Sequence, residues 1–196
     1  MGDHGHGHGH GQGHSHGHGH RYPGTAEGLR SPQRLALLEV GHVVDLCLEG
    51  AACATVLDVG VGAGVFAEEF VRRGLHVTGI DVNPDMIEAT HHYVPNATLV
   101  EADADALPFD DNSFDLVFLG HVLHETPDPV RALSEARRLA RVRVAVLEWP
   151  YRAEEYGPPL EHRLRDEDII RFAREAGFSQ MEMLSLAHMA LYCLAP

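Results

Sequence analysis

Val56-Leu57-Asp58-Val59-Gly60-Val61-Gly62-Ala63-Gly64 is an apolar strand that runs into an acid and then three alternate glycines. Glycine adopts positive φ at little cost and places no Cβ between backbone and ligand, so such a loop can turn sharply and pass close beneath a nucleotide cofactor. The dinucleotide fingerprint spaces its glycines as G-x-G-x-x-G. Here they stand at 60, 62 and 64, with Asp58 two residues ahead of the first. Alone, the triplet also fits a tight strand-to-helix turn, so the residues downstream decide.

After a helix-like segment, Gly64 to Arg73, the run Leu75-His76-Val77-Thr78-Gly79-Ile80 ends in Asp81, seventeen residues beyond Gly64. In a nucleotide-binding βαβ unit an acid about 20 residues past the glycine loop takes the ribose hydroxyls. Asp81 also stands where a helix cap would, because Pro84 suits the first position of the next helix.

The Asp-x-Gly-x-Gly-x-Gly pattern of residues 58–64 resembles motif I of the class I S-adenosylmethionine-dependent methyltransferases. Val100-Glu101-Ala102-Asp103-Ala104-Asp105-Ala106-Leu107-Pro108-Phe109 is similar to their (G)-D-A-x-x-L-P-F motif, with Ala102 where many relatives carry glycine. Phe114 to His121 looks like strand 4 of that fold, and His121-Val122-Leu123-His124-Glu125 like its carboxyl-end loop. The resemblance, carried by four motifs in order over Val56 to Glu125, implies an S-adenosylmethionine site made by Asp58, Gly60, Gly62, Gly64, Asp81, Val82, Asp103, Ala104 and His121. In it Asp81 would hold the ribose, and Asp103 and the Ala104 amide the adenine. It also implies an α/β, Rossmann-like sheet of seven strands in the order 3-2-1-4-5-7-6, the last antiparallel, with helices on both faces.

The rest of the chain agrees with one such domain over residues 31–196. At 196 residues with 44% apolar content, the chain can bury one two-sided α/β core. Ser31-Pro32 opens a helix whose apolar stripe runs through Leu48. Strands are predicted near Val56–Val59, His76–Ile80, Ala97–Glu101, Leu116–Leu119 and Val142–Leu147, a helix over Asp166–Ala176, and a closing hairpin over Met181–Leu186 and Met189–Leu194.

Composition excludes several classes. A formal charge of −14 opposes nucleic-acid binding. All fifteen cations are arginine, so P-loop and Schiff-base chemistry lack their lysine. Cys47, Cys53 and Cys193 fit neither a disulfide framework nor a zinc-finger spacing and read as buried apolar residues. No run reaches membrane-spanning length and no signal peptide is evident, which predicts a cytoplasmic protein.

Residues 1–24 form a different compositional unit. His4, His6, His8, His10, His14, His16, His18 and His20 largely alternate with glycine, which cannot build a core and predicts disorder. Imidazoles on a glycine chain suit nickel, zinc or copper, and protons compete below a pH of about 6.5. An affinity sequence and an incidental metal-binding tail are the plainer readings.

Ligands in open α/β sheets bind beyond the strands' carboxyl ends. A small-molecule acceptor is therefore expected at His121–Pro129 and Glu148–Arg165. Methyl transfer is an in-line displacement that positioning and water exclusion can drive without a dedicated base. For a hydroxyl or ammonium acceptor the candidate bases are His121, His124, Glu148, Tyr151 and His162, with His121 and His162 foremost. His121, His124 and Glu125 could also be read as half of a metal site. The alternative function is a metal-handling protein whose domain senses S-adenosylmethionine without turnover; a NAD-dependent oxidoreductase is opposed by the glycine spacing and the adenine motif.

Overall fold

The structure, a computed structural model, describes residues 24–196. The eight histidines expected to bind metal lie outside the described residues.

The chain runs α1 (Ala26–Leu29), α2 (Pro32–Leu38), α3 (Val40–Leu48), β1 (Thr55–Val59), α4 (Val65–Arg72), β2 (His76–Asp81), α5 (Pro84–Tyr93), β3 (Thr98–Glu101), β4 (Phe114–Gly120), α6 (Pro129–Leu139), β5 (Ala140–Glu148), a 3-10 turn (Leu160–His162), α7 (Asp166–Glu175), β6 (Gln180–Ser185) and β7 (Ala190–Ala195). The strands form one sheet in the order β3-β2-β1-β4-β5-β7-β6, with β7 antiparallel to both neighbours. This is the expected topology.

The apolar runs behave as parallel strands covered on both faces should. Leu57 and Val59 of β1, Val117 and Leu119 of β4, and Val144 and Val146 of β5 join α6 and α7 in one core through Leu133, Ala136, Ile169 and Ala173. Their alternates, Val56, Leu116, Phe118, Ala145 and Leu147, face the other way and meet α3 and α4 through Val43, Val44, Phe66 and Phe70. Phe118 anchors that second core, its ring 4.8 Å from Phe66 and 5.5 Å from Phe70 between centroids. Strand order reverses between β1 and β4, and at such a switch point the loops diverge and leave a crevice.

Three differences from the sequence reading have physical causes. The helix expected from Pro32 through Leu48 is two helices, because Glu39 takes a left-handed conformation (φ 46°, ψ 42°). Its carboxylate accepts from the Ala187 N–H in the β6–β7 turn at 3.3 Å. Order also begins earlier than Ser31, since α1 is capped by Thr25, whose hydroxyl accepts from the Gly28 N–H. Of the three cysteines, all free, only Cys47 is buried; Cys53 and Cys193 are partly exposed.

Candidate functional site

A cavity of about 780 Å³ opens at the switch point, lined by the carboxyl ends of four strands. Small-molecule and cofactor sites commonly have about 300–1,000 Å³. From β1 come Val59 and Gly60, from β2 Ile80, Asp81 and Val82, from β3 Ala102, Asp103 and Ala104, and from β4 Gly120, His121 and Val122.

The glycine loop is built for close approach. Gly60, Gly62 and Gly64 have φ of 67°, 53° and 72°, a region that L side chains rarely adopt. A Cβ on Gly60 would lie 2.2 Å from Val122 Cγ2, and one on Gly64 2.9 Å from Thr90 Cγ2. The Thr90 hydroxyl donates to the Gly62 carbonyl at 2.6 Å, tying the loop to α5.

Asp81 does not cap the helix but accepts from two backbone amides. One carboxylate oxygen accepts from the Gly62 N–H at 2.9 Å, and the other from the Asn83 N–H at 2.9 Å. It therefore locks the glycine loop to the β2–α5 turn and still faces the cavity. The cap of α5 is Asn83, whose side chain accepts from the Asp85 N–H at 3.0 Å.

Asp58 and Gly64 are not among the residues lining this cavity. Gly64 caps α4, and Asp58, 3% exposed, lies beneath the loop against a smaller adjoining hollow. Burial, then the charge of Asp81, pushes its carboxyl up to about 8, against the pull of the Ala67 N–H. The acid before the glycines is thus a buried, protonation-prone group and not part of the main cavity wall.

His121 closes β4 in a left-handed conformation (φ 62°), held by its N–H donating to the Leu147 carbonyl at 2.8 Å. The imidazole is 8% exposed and lies against Trp149, the ring centroids 5.3 Å apart. Neither ring nitrogen has a hydrogen-bond partner among the described residues. Burial, reinforced by the charges of Arg34 and His124, holds its pKa well below the usual histidine range. A neutral imidazole offers one donor and one acceptor, and buried polar groups normally have partners, so these two unsatisfied nitrogens are an exception at the edge of the cavity.

The loop after β5 differs from expectation, for none of Glu148 to Arg165 lines the main cavity. His162 ends the 3-10 turn outside it, and Tyr151 is exposed. The loop acts from behind, through Trp149 against His121. Arg163 holds it in place, donating to the carbonyls of Pro150, Arg152, Tyr156 and Pro158. His124 and Glu148 are likewise outside the cavity, paired with each other; the residues of the β4 loop that line it are His121, Val122, Glu125, Thr126 and Pro127.

The helix opened by Ser31-Pro32 resembles the one that caps the cleft in the family, and Arg34 of α2 does line the cavity; what sequence reasoning missed is the segment before it. Leu29 and Arg34 line the cavity, and Leu29 lies over Gly62, 3.1 Å from where a Cβ would be. Arg30 donates to the Ala63 carbonyl at 2.9 Å, pairs with Glu68, and stacks 4.1 Å over Tyr93. The one signal for this strap was the Thr25 and Ser31 pair of helix caps.

The donor set fits an adenosyl cofactor: Cβ-free backbone beneath it, a carboxylate at the end of β2, and at the end of β3 Asp103 followed by buried Ala104. Residues 57–146 match the family described as Methyltransferase domain. An uncharacterized methyltransferase of Mycobacterium tuberculosis is 36% identical over 91 residues, 46% of this chain and 37% of that protein. A demethylmenaquinone methyltransferase of Renibacterium salmoninarum is 36% identical over 86 residues, 44% of this chain and 36% of that protein. The chain thus spans little more than a third of the length of these curated relatives. The crystal structure of a SAM-dependent methyltransferase from Aquifex aeolicus superposes with a TM-score of 0.77 at 25% identity, covering 87% of this chain and 97% of that one.

The fold is that of an S-adenosylmethionine-dependent methyltransferase of known structure, and residues 57–146, a little under half of the chain, match the Methyltransferase domain family.

Proposed function

We propose that this protein transfers a methyl group from S-adenosylmethionine to a small-molecule acceptor. The observation that carries the reading is the convergence of Gly60, Gly62, Asp81, Val82, Asp103, Ala104 and His121 on one cavity from the ends of four adjacent strands. When bound, the cofactor supplies an electrophilic methyl on a sulfonium. The chain's own part is to hold, orient and exclude water. Asp81 offers its remaining lone pairs to vicinal hydroxyls, and Asp103 with the Ala104 N–H suits the edge of an adenine. Gly60 and Gly62 permit backbone approach, while Val59, Ile80, Met86 and Leu29 give apolar walls.

On the acceptor side, His121 is the cavity-lining candidate to hydrogen-bond a substrate, its neutral ring carrying one donor and one acceptor. His162, the other foremost base candidate, is not among the residues lining the cavity, which leaves the role to His121. Apolar packing beside it, from Val122 and Pro127, fits a metabolite-sized acceptor.

Metal binding is proposed for the histidine-rich segment alone, as a property separable from methyl transfer. No group of three histidine, cysteine or acidic side chains able to hold a metal occurs among the described residues. No helix among them is long and apolar enough to cross a membrane.

Calorimetry with S-adenosylmethionine and S-adenosylhomocysteine tests the reading on wild type, on Asp81→Ala and on protein lacking the first 24 residues. Micromolar binding, abolished by Asp81→Ala and kept after truncation, is the expected result, with nickel or zinc uptake lost only on truncation. Absence of cofactor binding in wild type would refute the methyltransferase reading and favour the metal-handling one.

A further inference from the structure

The chain contains one tryptophan, and it stands between the loop after β5 and the cavity. Trp149 follows directly on β5, is 3% exposed and is not among the residues lining the cavity. Its indole lies against the His121 imidazole, with the ring centroids 5.3 Å apart and the planes 33° from parallel. The loop then returns onto the indole at Gly157. A Cβ on that residue would stand 2.6 Å from Trp149 Cδ2, 2.7 Å from Cε3 and 2.9 Å from Cε2, so only glycine lets the backbone lie this close. Gly157 also has a φ of 83°, which L side chains rarely adopt.

Two cations complete the setting of the indole. The guanidinium carbon of Arg163 is 5.6 Å from its centroid and that of Arg34, on the cavity side, 5.9 Å, both within cation–π range. Arg163 donates to the carbonyls of Pro150 and Arg152 and to those of Tyr156 and Pro158. It thereby ties the segment that follows the indole to the segment that presses on it.

The imidazole has a fixed backbone and no polar contact to set its ring. The bond to the Leu147 carbonyl and the φ of 62° hold the main chain, but neither ring nitrogen has a hydrogen-bond partner among the described residues. A half-turn about the Cβ–Cγ bond exchanges Nδ1 with Cδ2 and Nε2 with Cε1, and so presents C–H where a nitrogen stood. Hydrogen bonds ordinarily decide between these two orientations. Here packing has to decide, and the aromatic ring that the imidazole packs on is Trp149.

We infer that Trp149 is a positioning residue for His121, with Gly157 as its back-stop, and that the loop after β5 serves the reaction by fixing which edge of the imidazole meets the ligand. The inference rests on the acceptor-side reading of His121 above. It gives the loop a part in methyl transfer although none of its residues lines the cavity. Misplacement of a reacting partner by about 1 Å can cost roughly a hundredfold in rate, so orientation of this kind matters to an in-line displacement.

The test is NMR of the full chain, isotope-labelled in histidine and tryptophan, with the His121 ring signals assigned by their loss in His121→Gln. Wild type is expected to show one set of these signals, with Overhauser contacts to the indole protons. Two sets, or no such contacts, would overturn the inference. Gly157→Ala keeps both rings but drives a Cβ into the indole, so it should move the His121 ring signals and leave those of His76, at the other end of the sheet, in place. Trp149→Leu should split or broaden the His121 signals, and Trp149→Phe, which keeps a flat ring, should restore a single set. If Trp149→Leu fails to fold, the wild-type contacts and Gly157→Ala still decide. His121 signals that stay unmoved in Gly157→Ala and single in a folded Trp149→Leu protein mean a merely structural tryptophan and overturn the inference. Calorimetry with S-adenosylhomocysteine on wild type keeps the two readings apart. Absence of binding defeats the methyltransferase reading and the positioning role with it, whereas binding with unmoved His121 signals defeats the positioning role alone.

Discussion

Gly60→Ala tests how the glycine loop is built, because its cost divides into two parts that a second substitution separates. The first is conformational: φ at this position is 67°, and an L residue held there costs about 1–2 kcal/mol. The second is steric: the new Cβ would stand 2.2 Å from Val122 Cγ2, a contact that forces Val122 to move. Overpacking of this kind costs typically about 1–3 kcal/mol. Since Val122 lines the cavity, its displacement also occupies ligand space, and cofactor affinity is expected to fall together with stability. Trimming the neighbour removes only the steric part, for the same Cβ would lie 3.5 Å from Val122 Cβ, an ordinary contact. Gly60→Ala with Val122→Ala should therefore be less destabilised than the sum of the singles, with a coupling of about 1–3 kcal/mol, the steric cost that the trimming removes. The residual 1–2 kcal/mol, roughly, is the backbone term and should persist in the double variant. Urea unfolding of the four proteins measures the cycle, and calorimetry with S-adenosylhomocysteine follows the site. Strict additivity, or a Gly60→Ala protein as stable as wild type, would refute this account of the loop.

Two further predictions concern groups buried around the site. Asp58 has its carboxyl raised from 3.8 to about 8 in the folded chain. Between those values the unfolded state has released a proton that the folded state keeps, so this group's contribution to stability declines as pH rises across that window. Asp58→Asn should flatten that decline in a series of melts, and an unchanged slope would count against the assignment. Arg163→Ala removes the donor shared by four loop carbonyls, which should cost about 3 kcal/mol or more. Limited proteolysis should then cut between residues 150 and 163 in the variant and not in wild type. Arg163→Lys should give little rescue, because one ammonium cannot reproduce the guanidinium fork.

The sheet was readable because its strands are buried on both faces and so appear as apolar runs, from Val56 to Val59 and again from Leu116 to Leu119. The ends of β1, β2 and β3 were readable because glycines and acids at fixed offsets have few other uses. What escaped the sequence depends on contacts between distant residues. The break at Glu39 is stabilised by a bond to Ala187, 148 positions away, and nothing in the apolar stripe from Leu35 to Leu46 announces it. Leu29 and Arg30 look like an unremarkable lead-in until the chain folds back and lays them over Gly62 and Ala63. His124 and Glu148 stood side by side in the set of candidate bases, but that they pair with each other is a property of the β4–β5 pairing. His162 was favoured by its loop, and the loop proved to support the cavity from outside.

The strand order has a consequence for biosynthesis. β7 is the bridge between β5 and β6, so β6 has no place in the sheet until β7 has paired with β5. The ribosome delivers the two in the opposite sequence. Until Ala190–Ala195 has emerged, a nascent chain can assemble at most the five parallel strands, ending at β5 with a row of unpaired amides and carbonyls from Val144 to Glu148. An open apolar edge of that kind recruits other strands. The interval in which the chain is most exposed to aggregation therefore falls between the emergence of β5 and that of β7, and a slow codon or a pause within the β6–β7 hairpin would prolong it.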